Sequence, residues 1–382
     1  MMKLTLLQEN LIRGLNIVNR SVSSKPSLPI LSNILLTAFE NRLKLSSTNL
    51  ETSITFWLDA KIEKEGKFTV PARVLTEFVS SLSPGVIEIS LEGNLLVVSS
   101  ANTKSSFNGL SADEFPAIPE AGETKTPLFF ETLLPAVEKV GFAAAADEFR
   151  PALTAILFRI AEKETEVVAT DGYRLSLVKI PGETLSFPVG EKKDFLVPAK
   201  TMVEVVRIAA ETLKGKGEKK PQLSVSFLSK ESQLIFATTE AEIVSRLIDA
   251  EFPQYSRIIP AEWKTRITVG REELTQAVKI ASIFSRENAN IIRWKITKEG
   301  LKVSAASSQV GENSSLVGIK LEGEENEIAF NARYPIELLS ALSEETELVF
   351  EMSGPLNPGV FRIPGNDNFL HLIMPVRLQE EQ

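Results

Sequence analysis

The sequence repeats itself three times, and this constrains its fold more than any other feature. Three segments align without gaps: FTVPARVLTEFVSSL from Phe68, FLVPAKTMVEVVRIA from Phe195 and IAFNARYPIELLSAL from Ile328. Each opens on a short β-like run and passes a conformational break at Pro71, Pro198 or Asn331. A helical period follows: Leu75, Phe78, Val79 and Leu82; Met202, Val205, Val206 and Ala209; Ile336, Leu338, Leu339 and Leu342. Apolar residues at i, i+3, i+4 and i+7 mark one buried helix face. The third copy follows the pattern least cleanly and carries Pro335 in its first turn.

An earlier helix recurs as well, at Leu11, Leu15, Val18 and Val22, at Leu133, Val137, Val140 and Ala144, and at Leu274, Val278 and Ala281. Short strands are expected before each copy (Lys3–Leu6, Pro127–Glu131, Arg266–Val269), and apolar strands after it (LPILSNILLTAF, PALTAILFRI, ANIIRWKI). The fold class is therefore α+β: three repeated domains, each with two helices packed on antiparallel sheets. The 382 residues accommodate them, since domains run to about 100–200 residues. The expected bounds are 1–122, 127–253 and 263–382, with polar connections near Ala121–Thr126 and Pro260–Thr265.

Composition narrows the chemistry. The chain has no cysteine, which excludes disulfides, thiol nucleophiles and sulfur-ligated zinc. It has one histidine, His371, in the alternating strand FLHLIM, where it reads as a sheet residue. No metal, cofactor or catalytic group is expected. No run reaches the ~18–20 apolar residues of a membrane span. The start MMKLTLLQEN lacks the apolar core of a secretion signal. A cytoplasmic, nucleoid-associated protein without a membrane partner is expected.

The net charge of −8 argues against a nucleic-acid partner only if the charge is evenly spread. Arg13 and Arg20 are seven residues apart, as are Lys279 and Arg286, and Lys200, Arg207 and Lys214 continue the spacing on the second helix. Seven residues is nearly two helical turns, so each set lines one stripe. Arg73, Lys200 and Arg333 share one repeat position just inside a helix start, against the helix dipole. Each has a glutamate four residues later (Glu77, Glu204, Glu337), in the weaker order for such a pair. An external anion and an ordinary solvated helix face both account for this pattern.

Geometry adds a constraint. Helices packed ~9 Å apart around a hole give ~7 Å of free space for six and ~24 Å for twelve. A DNA duplex is roughly 20 Å across, given grooves ~8 Å deep on each side. One chain with six helices cannot encircle it; two chains can.

The threefold repeat, VATDGYRL at Val168–Leu175, LPIL at Leu28–Leu31, EFPQYSRIIP at Glu251–Pro260 and MPVRL at Met374–Leu378 together resemble the bacterial DNA polymerase III β subunits, the β sliding clamps, over essentially the whole chain. The resemblance implies three DNA-clamp domains forming half of a closed ring, a head-to-tail homodimer with helices inside and sheets outside. It implies a processivity factor that slides on double-stranded DNA without reading sequence. The implied partners are the replicative DNA polymerase, other clamp-binding-motif proteins and a separate clamp loader, since no nucleotide motif is present.

By motif match, the family's partner-peptide pocket includes Leu153, Thr170, Gly172, Tyr173, Arg174, Leu175, Pro253, Arg257, Ile258, Met374, Pro375, Val376 and Arg377. Such a mostly apolar set suits a short linear peptide with apolar anchors. The family often has His where Tyr173 stands, and this chain continues past MPVRL with Gln-Glu-Glu-Gln. Phe107, Ile283 and Phe284 correspond to the dimer contact, although ordinary core burial also accounts for the last two. The DNA-facing candidates are Arg13, Arg20, Lys25, Arg73, Lys200, Arg207, Lys279, Arg286 and Arg333.

Two other classes fit parts of the pattern. An enzyme would use Asp171, Tyr173 and Arg174 around a cleft, but Asp-Gly ordinarily marks a turn. A β-rich structural repeat protein explains the repeats but not the basic stripes.

Overall fold

The computed structural model describes residues 2–23, 26–122, 125–147, 149–161, 163–182, 187, 194–213, 223–228, 230 and 232–377. Lys25, Lys214 and the Gln-Glu-Glu-Gln extension lie outside the described residues. Six helices are described: α1 (Gln8–Val18), α2 (Ala72–Ser81), α3 (Phe130–Gly141), α4 (Ala199–Leu213), α5 (Arg271–Ser285) and α6 (Arg333–Ala341).

The repeat is visible in how these helices pack. In α1, α3 and α5 the buried stripe reads Leu11–Gly14–Leu15–Val18, Leu133–Ala136–Val137–Val140 and Leu274–Ala277–Val278–Ala281. The second position is small in every copy. A Cβ on Gly14 would stand 3.0 Å from both Leu45 Cδ1 and Leu58 Cδ1, so the missing side chain lets α1 settle onto the sheet. Each buried Leu or Val of such a stripe contributes roughly 1.5–3 kcal/mol.

Three elements depart from the sequence expectation. The strand expected at Pro127–Glu131 is Thr126–Leu128, and α3 begins at Phe130. The apolar runs expected to be strands throughout begin with a 3₁₀ turn, Pro29–Ser32 and Pro151–Thr154, before the strands Asn33–Phe39 and Ala155–Ile160. A proline lacks the N–H that a central strand needs, so each run enters its sheet only after the turn.

The chain divides into two compact units, one comprising 1–130, 186–191 and 204–247, the other 131–185, 192–203 and 248–382. Each holds two antiparallel sheets. In the first unit the strands Lys61–Lys64, Lys3–Leu7, Val86–Glu92, Leu95–Ser100 and Thr103–Asn108 form a five-stranded sheet. An eight-stranded sheet carries strands of two successive repeats, joined where Thr52–Asp59 pairs with Ala241–Arg246 through Phe56↔Ala241 and Ile54↔Ile243.

The second unit repeats the arrangement. Its nine-stranded sheet joins the second and third repeats where Arg174–Pro181 pairs with Asn366–Ile373. Its four-stranded sheet runs in the order Gly311–Val317, Gly300–Ser307, Ile291–Thr297 and Asn326–Asn331. Trp294, Phe330, Phe350 and Phe361 form an aromatic cluster in its core, with Trp294 edge-on to the other three at 5.3–5.9 Å. Successive repeats are thus welded by continuous backbone pairing. The strands Thr103–Asn108 and Gly311–Val317, in the first and third repeats, each stand at a sheet edge.

Candidate functional site

The Asp-Gly of VATDGYRL builds a tight turn between the strands Glu164–Thr170 and Arg174–Pro181. Asp171 Oδ1 accepts from the backbone N–H of Tyr173 (2.8 Å) and Arg174 (3.0 Å), and Thr170 Oγ1 accepts from that of Gly172 (3.0 Å). Gly172 has φ +91°, a region that glycine enters without strain. The carboxylate therefore fixes the turn.

The first repeat makes the same turn. Asn49 Oδ1 accepts from Glu51 N–H and Thr52 N–H, and Thr48 Oγ1 from Leu50 N–H. There Leu50 takes the glycine position at φ +77°.

The turn presents Tyr173 to solvent, stacked on Tyr334 of α6 with centroids 6.4 Å apart and planes 16° apart. Arg174 lies beneath, 3% exposed. Its guanidinium donates to Phe142 O (2.7 Å) and Asp171 Oδ2 (3.2 Å) and pairs with Glu337 Oε2 at 2.6 Å. It also lies over the rings of Phe142 (5.3 Å) and Tyr334 (5.0 Å). Arg174, which the sequence groups with the pocket residues, is buried beneath the turn that carries Tyr173. Burial raises the Glu337 carboxyl, but the hydrogen bond from Arg333 and the charge of Arg174 outweigh it and leave the group below its usual value.

The other walls come from distant segments of the same unit. Met374 N–H donates to Tyr173 O (2.8 Å) and Val376 N–H to Ala329 O (2.8 Å), so the MPVR segment runs on from the paired strands past the turn. Leu175 pairs in register with Leu372, and both are fully buried in a cluster with Val360 and Tyr255. Tyr255 opens the 3₁₀ turn Tyr255–Ile258, on which Arg257 and Ile258 are exposed, as is Pro253 just before it. Leu153 is buried, and Arg150 next to its turn lies against Gly172 and donates to Asp171 O (3.3 Å). Pro375 and Val376 are half-buried, while Met374 and Arg377 are exposed. Apolar floor, aromatic rim and exposed cations suit a short peptide with apolar anchors.

His371 is fully buried one strand position from Leu372. Its Nδ1 lies 2.6 Å from Ser176 Oγ, and its ring stacks on Phe142 at 5.3 Å. Burial first, and then the charge of Arg174, hold it well below the usual histidine value, so it is neutral. A separate cavity of about 210 Å³ is bordered by Trp263, Glu351 and Arg362. Of its lining charges, Glu351 pairs with Arg362 and also with Arg266. No cluster of three or more potential metal-ligating His, Asp or Glu side chains occurs among the described residues.

The basic candidates fall into two groups. Arg13 pairs with Glu240 at 2.7 Å, Arg20 with Glu204 and Glu211, Arg207 with Glu204 at 3.1 Å, Arg73 with Glu77 at 2.8 Å, and Arg333 with Glu337 at 2.6 Å. Lys200, Lys279 and Arg286 are exposed and have no ion pair among the described residues. The six described helices hold eight basic and nine acidic residues, so the positive charge does not reside in the helices as a whole. Two of the three helix-start cations, Arg73 and Arg333, also pair with a carboxylate of their own helix. At the dimer candidates, Phe107 is buried against Phe78 (5.2 Å), Phe284 is partly buried against the core, and Ile283 is 49% exposed.

Three family models match in succession: the N-terminal domain of the DNA polymerase III beta subunit over residues 2–119, the central domain over 128–254 and the C-terminal domain over 256–377. The beta sliding clamp of Vibrio cholerae is 30% identical over 381 residues, spanning 99% of this chain and all of that protein. The chain belongs to the DNA polymerase III beta subunit family, the beta sliding clamps.

The Bacillus subtilis beta sliding clamp is 28% identical over 98% of this chain and 100% of its own length. Among solved structures, the beta subunit of Thermotoga maritima superposes with a TM-score of 0.87 at 29% identity. A Pseudomonas aeruginosa sliding clamp bound to griselimycin does so with a TM-score of 0.85 at 26% identity. Each covers 99% of this chain and 100% of the other.

Each family segment of this sliding clamp holds two helices: α1 and α2, α3 and α4, α5 and α6. The sequence reading missed Tyr334, Phe142 and Arg150 at the site. A signal for Tyr334 was present: it breaks the repeat, standing where Val74 and Thr201 stand in the other copies. No helix described in this sliding clamp is long and apolar enough to cross a membrane.

Proposed function

We propose that two copies of this sliding clamp close head to tail around duplex DNA, each contributing modules 1–122, 127–253 and 263–382, and that the ring tethers a DNA polymerase without catalysing a reaction itself. The observation that carries this reading is the succession of all three beta-subunit domains in one chain, colinear with its relatives from end to end. The sheets support it. Both repeat junctions are closed by strand pairing, whereas the first and third repeats keep edge strands at Thr103–Asn108 and Gly311–Val317. Open edges invite pairing, and a head-to-tail partner satisfies both at once. Phe107, Ile283 and Phe284 pack at that contact. Lys25, Lys200, Lys279 and Arg286, with Arg13, Arg20, Arg73, Arg207 and Arg333, face the phosphates. The protein works in the cytoplasm on the nucleoid, where a separate clamp loader opens the ring.

Protein loaded on nicked circular plasmid is expected to stay bound in high salt and to be released when the plasmid is cut once. Equal retention on circular and linear DNA overturns topological linkage.

The pocket between the Asp171–Arg174 turn, the Pro253–Ile258 segment and Met374–Arg377 takes the clamp-binding segment of the polymerase. A fluorescein-labelled peptide of that segment reports occupancy, and griselimycin is expected to compete with it. Truncation after Ile373 is expected to abolish peptide binding with the dimer intact; undiminished binding removes the pocket from this account.

A further inference from the structure

We infer that Glu337 links the DNA-facing start of α6 to the partner pocket, so that duplex DNA and a bound peptide strengthen each other's binding. This rests on the proposed function above and names a regulation of its pocket.

The carboxylate of Glu337 is shared. Its Oε1 accepts from Arg333 Nε at 2.6 Å, and its Oε2 lies 2.6 Å from Arg174 Nη1. The three side chains run from solvent to core, with Arg333 67%, Glu337 30% and Arg174 2% exposed. From Arg174 the chain of contacts continues to Asp171 Oδ2 at 3.2 Å. Asp171 Oδ1 in turn fixes the backbone of Tyr173. Tyr334, one residue after Arg333, lies over the Arg174 guanidinium at 5.0 Å and stacks on Tyr173. An exposed cation on α6 is thus three ionic contacts from Asp171 in the turn that forms the pocket wall.

A phosphate oxygen beside Arg333 competes with Glu337 for the same guanidinium. Arg333 is mostly exposed and its bond to Glu337 is screened, so the exchange costs little. Once released, Glu337 has Arg174 as its remaining cation. Arg174 is buried, where the same charge pair interacts more strongly than in water. The turn bearing Tyr173 is then held more firmly before a peptide arrives, and a preorganised wall loses less freedom on binding. Linkage makes the effect reciprocal: DNA raises peptide affinity by the factor by which peptide raises DNA affinity.

Arg333 departs from simple repetition in one respect. Its counterpart Arg73 also pairs with its own i+4 glutamate, but Glu77 has only that partner among the described residues. In the second copy Glu204 is shared by Arg20 and Arg207, both largely or partly exposed; among the described residues only the third copy joins its helix-start cation to a buried arginine through this carboxylate.

The test uses the full-length dimer and the labelled polymerase peptide, titrated with and without saturating short linear duplex. For the unaltered protein the peptide Kd is expected to fall by about five- to tenfold with DNA, the lower part of the usual coupling range. R333A is expected to bind peptide without DNA as tightly as the unaltered protein does with it, and to gain nothing further from saturating duplex. E337Q is expected to weaken peptide binding and to lose the DNA effect while keeping its thermal midpoint within a few degrees. K279A removes a phosphate-facing cation outside this network; it weakens DNA binding but keeps the full peptide effect at saturation. Unchanged peptide affinity with DNA overturns the inference, as does an R333A protein that gains from DNA as much as the unaltered one. Failure of the unaltered protein to bind peptide at all overturns the pocket instead.

Discussion

Replacing Arg174 by methionine removes a buried, multiply paired cation of the second unit while keeping an unbranched side chain there. The Arg174 side chain is 2% exposed. It serves two carboxylates, Asp171 and Glu337, one carbonyl, Phe142 O, and two aromatic faces. Removing one member of a buried ion pair costs about 3–5 kcal/mol, because the partner charge stays behind. Glu337 retains Arg333, which limits the loss, so the stranded group is Asp171, 16% exposed. We expect R174M to cost about 3–4 kcal/mol. R174K restores the charge but not the fork, and we expect it to recover less than half. Hydrogen exchange of the amides in 171–178 and 369–374 reads this locally, since Arg174–Val178 and Phe369–Ile373 are paired strands. A double-mutant cycle with D171N is expected to give a coupling of about 1–3 kcal/mol. A cost under ~1 kcal/mol, or a coupling near zero, refutes the reading of Arg174 as the post beneath the pocket.

Three further outcomes follow from particular residues. His371 is neutral in the folded protein, so below its unfolded value near ~6.5 the unfolded chain binds one proton more, and stability falls by about 1.4 kcal/mol per pH unit until the depressed folded value is reached. The loss is present in the unaltered protein and absent in H371N; a ring NMR signal from this single histidine titrating near neutrality in the folded protein contradicts it. The triple variant K200A/K279A/R286A is expected to reduce the salt slope of DNA binding by about 2–3 per chain, at ~0.9 per phosphate contact, and R13A by less per residue because Glu240 already holds that cation; equal losses per residue contradict the grouping. G172A places a Cβ 3.3 Å from Arg150 Nη1 at φ +91° and is expected to cost about 1–2 kcal/mol and weaken peptide binding; unchanged thermal melting and affinity contradict the role of the turn.

The helix faces were legible in the sequence because burial imposes a period, and the three copies agree at Leu11, Leu133 and Leu274. The turn at Asp171 was legible because Asp-Gly has few other uses. The partners of the basic stripe were not. Arg73–Glu77 and Arg333–Glu337 lie within one helix and are visible as i+4 spacing. Arg13–Glu240 and Arg20–Glu211 join residues about two hundred positions apart, and only the strand pairing Thr52–Asp59 with Ala241–Arg246 brings their segments together. The place of Arg174 was also hidden. An arginine after Asp-Gly reads as exposed, and its burial depends on Phe142, Tyr334 and Glu337, none of which local spacing connects to it. The 3₁₀ starts at Pro29 and Pro151 were missed because the apolar run masks the missing N–H.

The central claim is a closed path around DNA, and the most direct measurement is electron microscopy of the purified protein without DNA. Particles of twice the 42.0 kDa chain mass, with six similar lobes around an open centre wide enough for a duplex, are the predicted result. Single crescents, filaments or solid particles at concentrations where the protein stays on circular DNA contradict it.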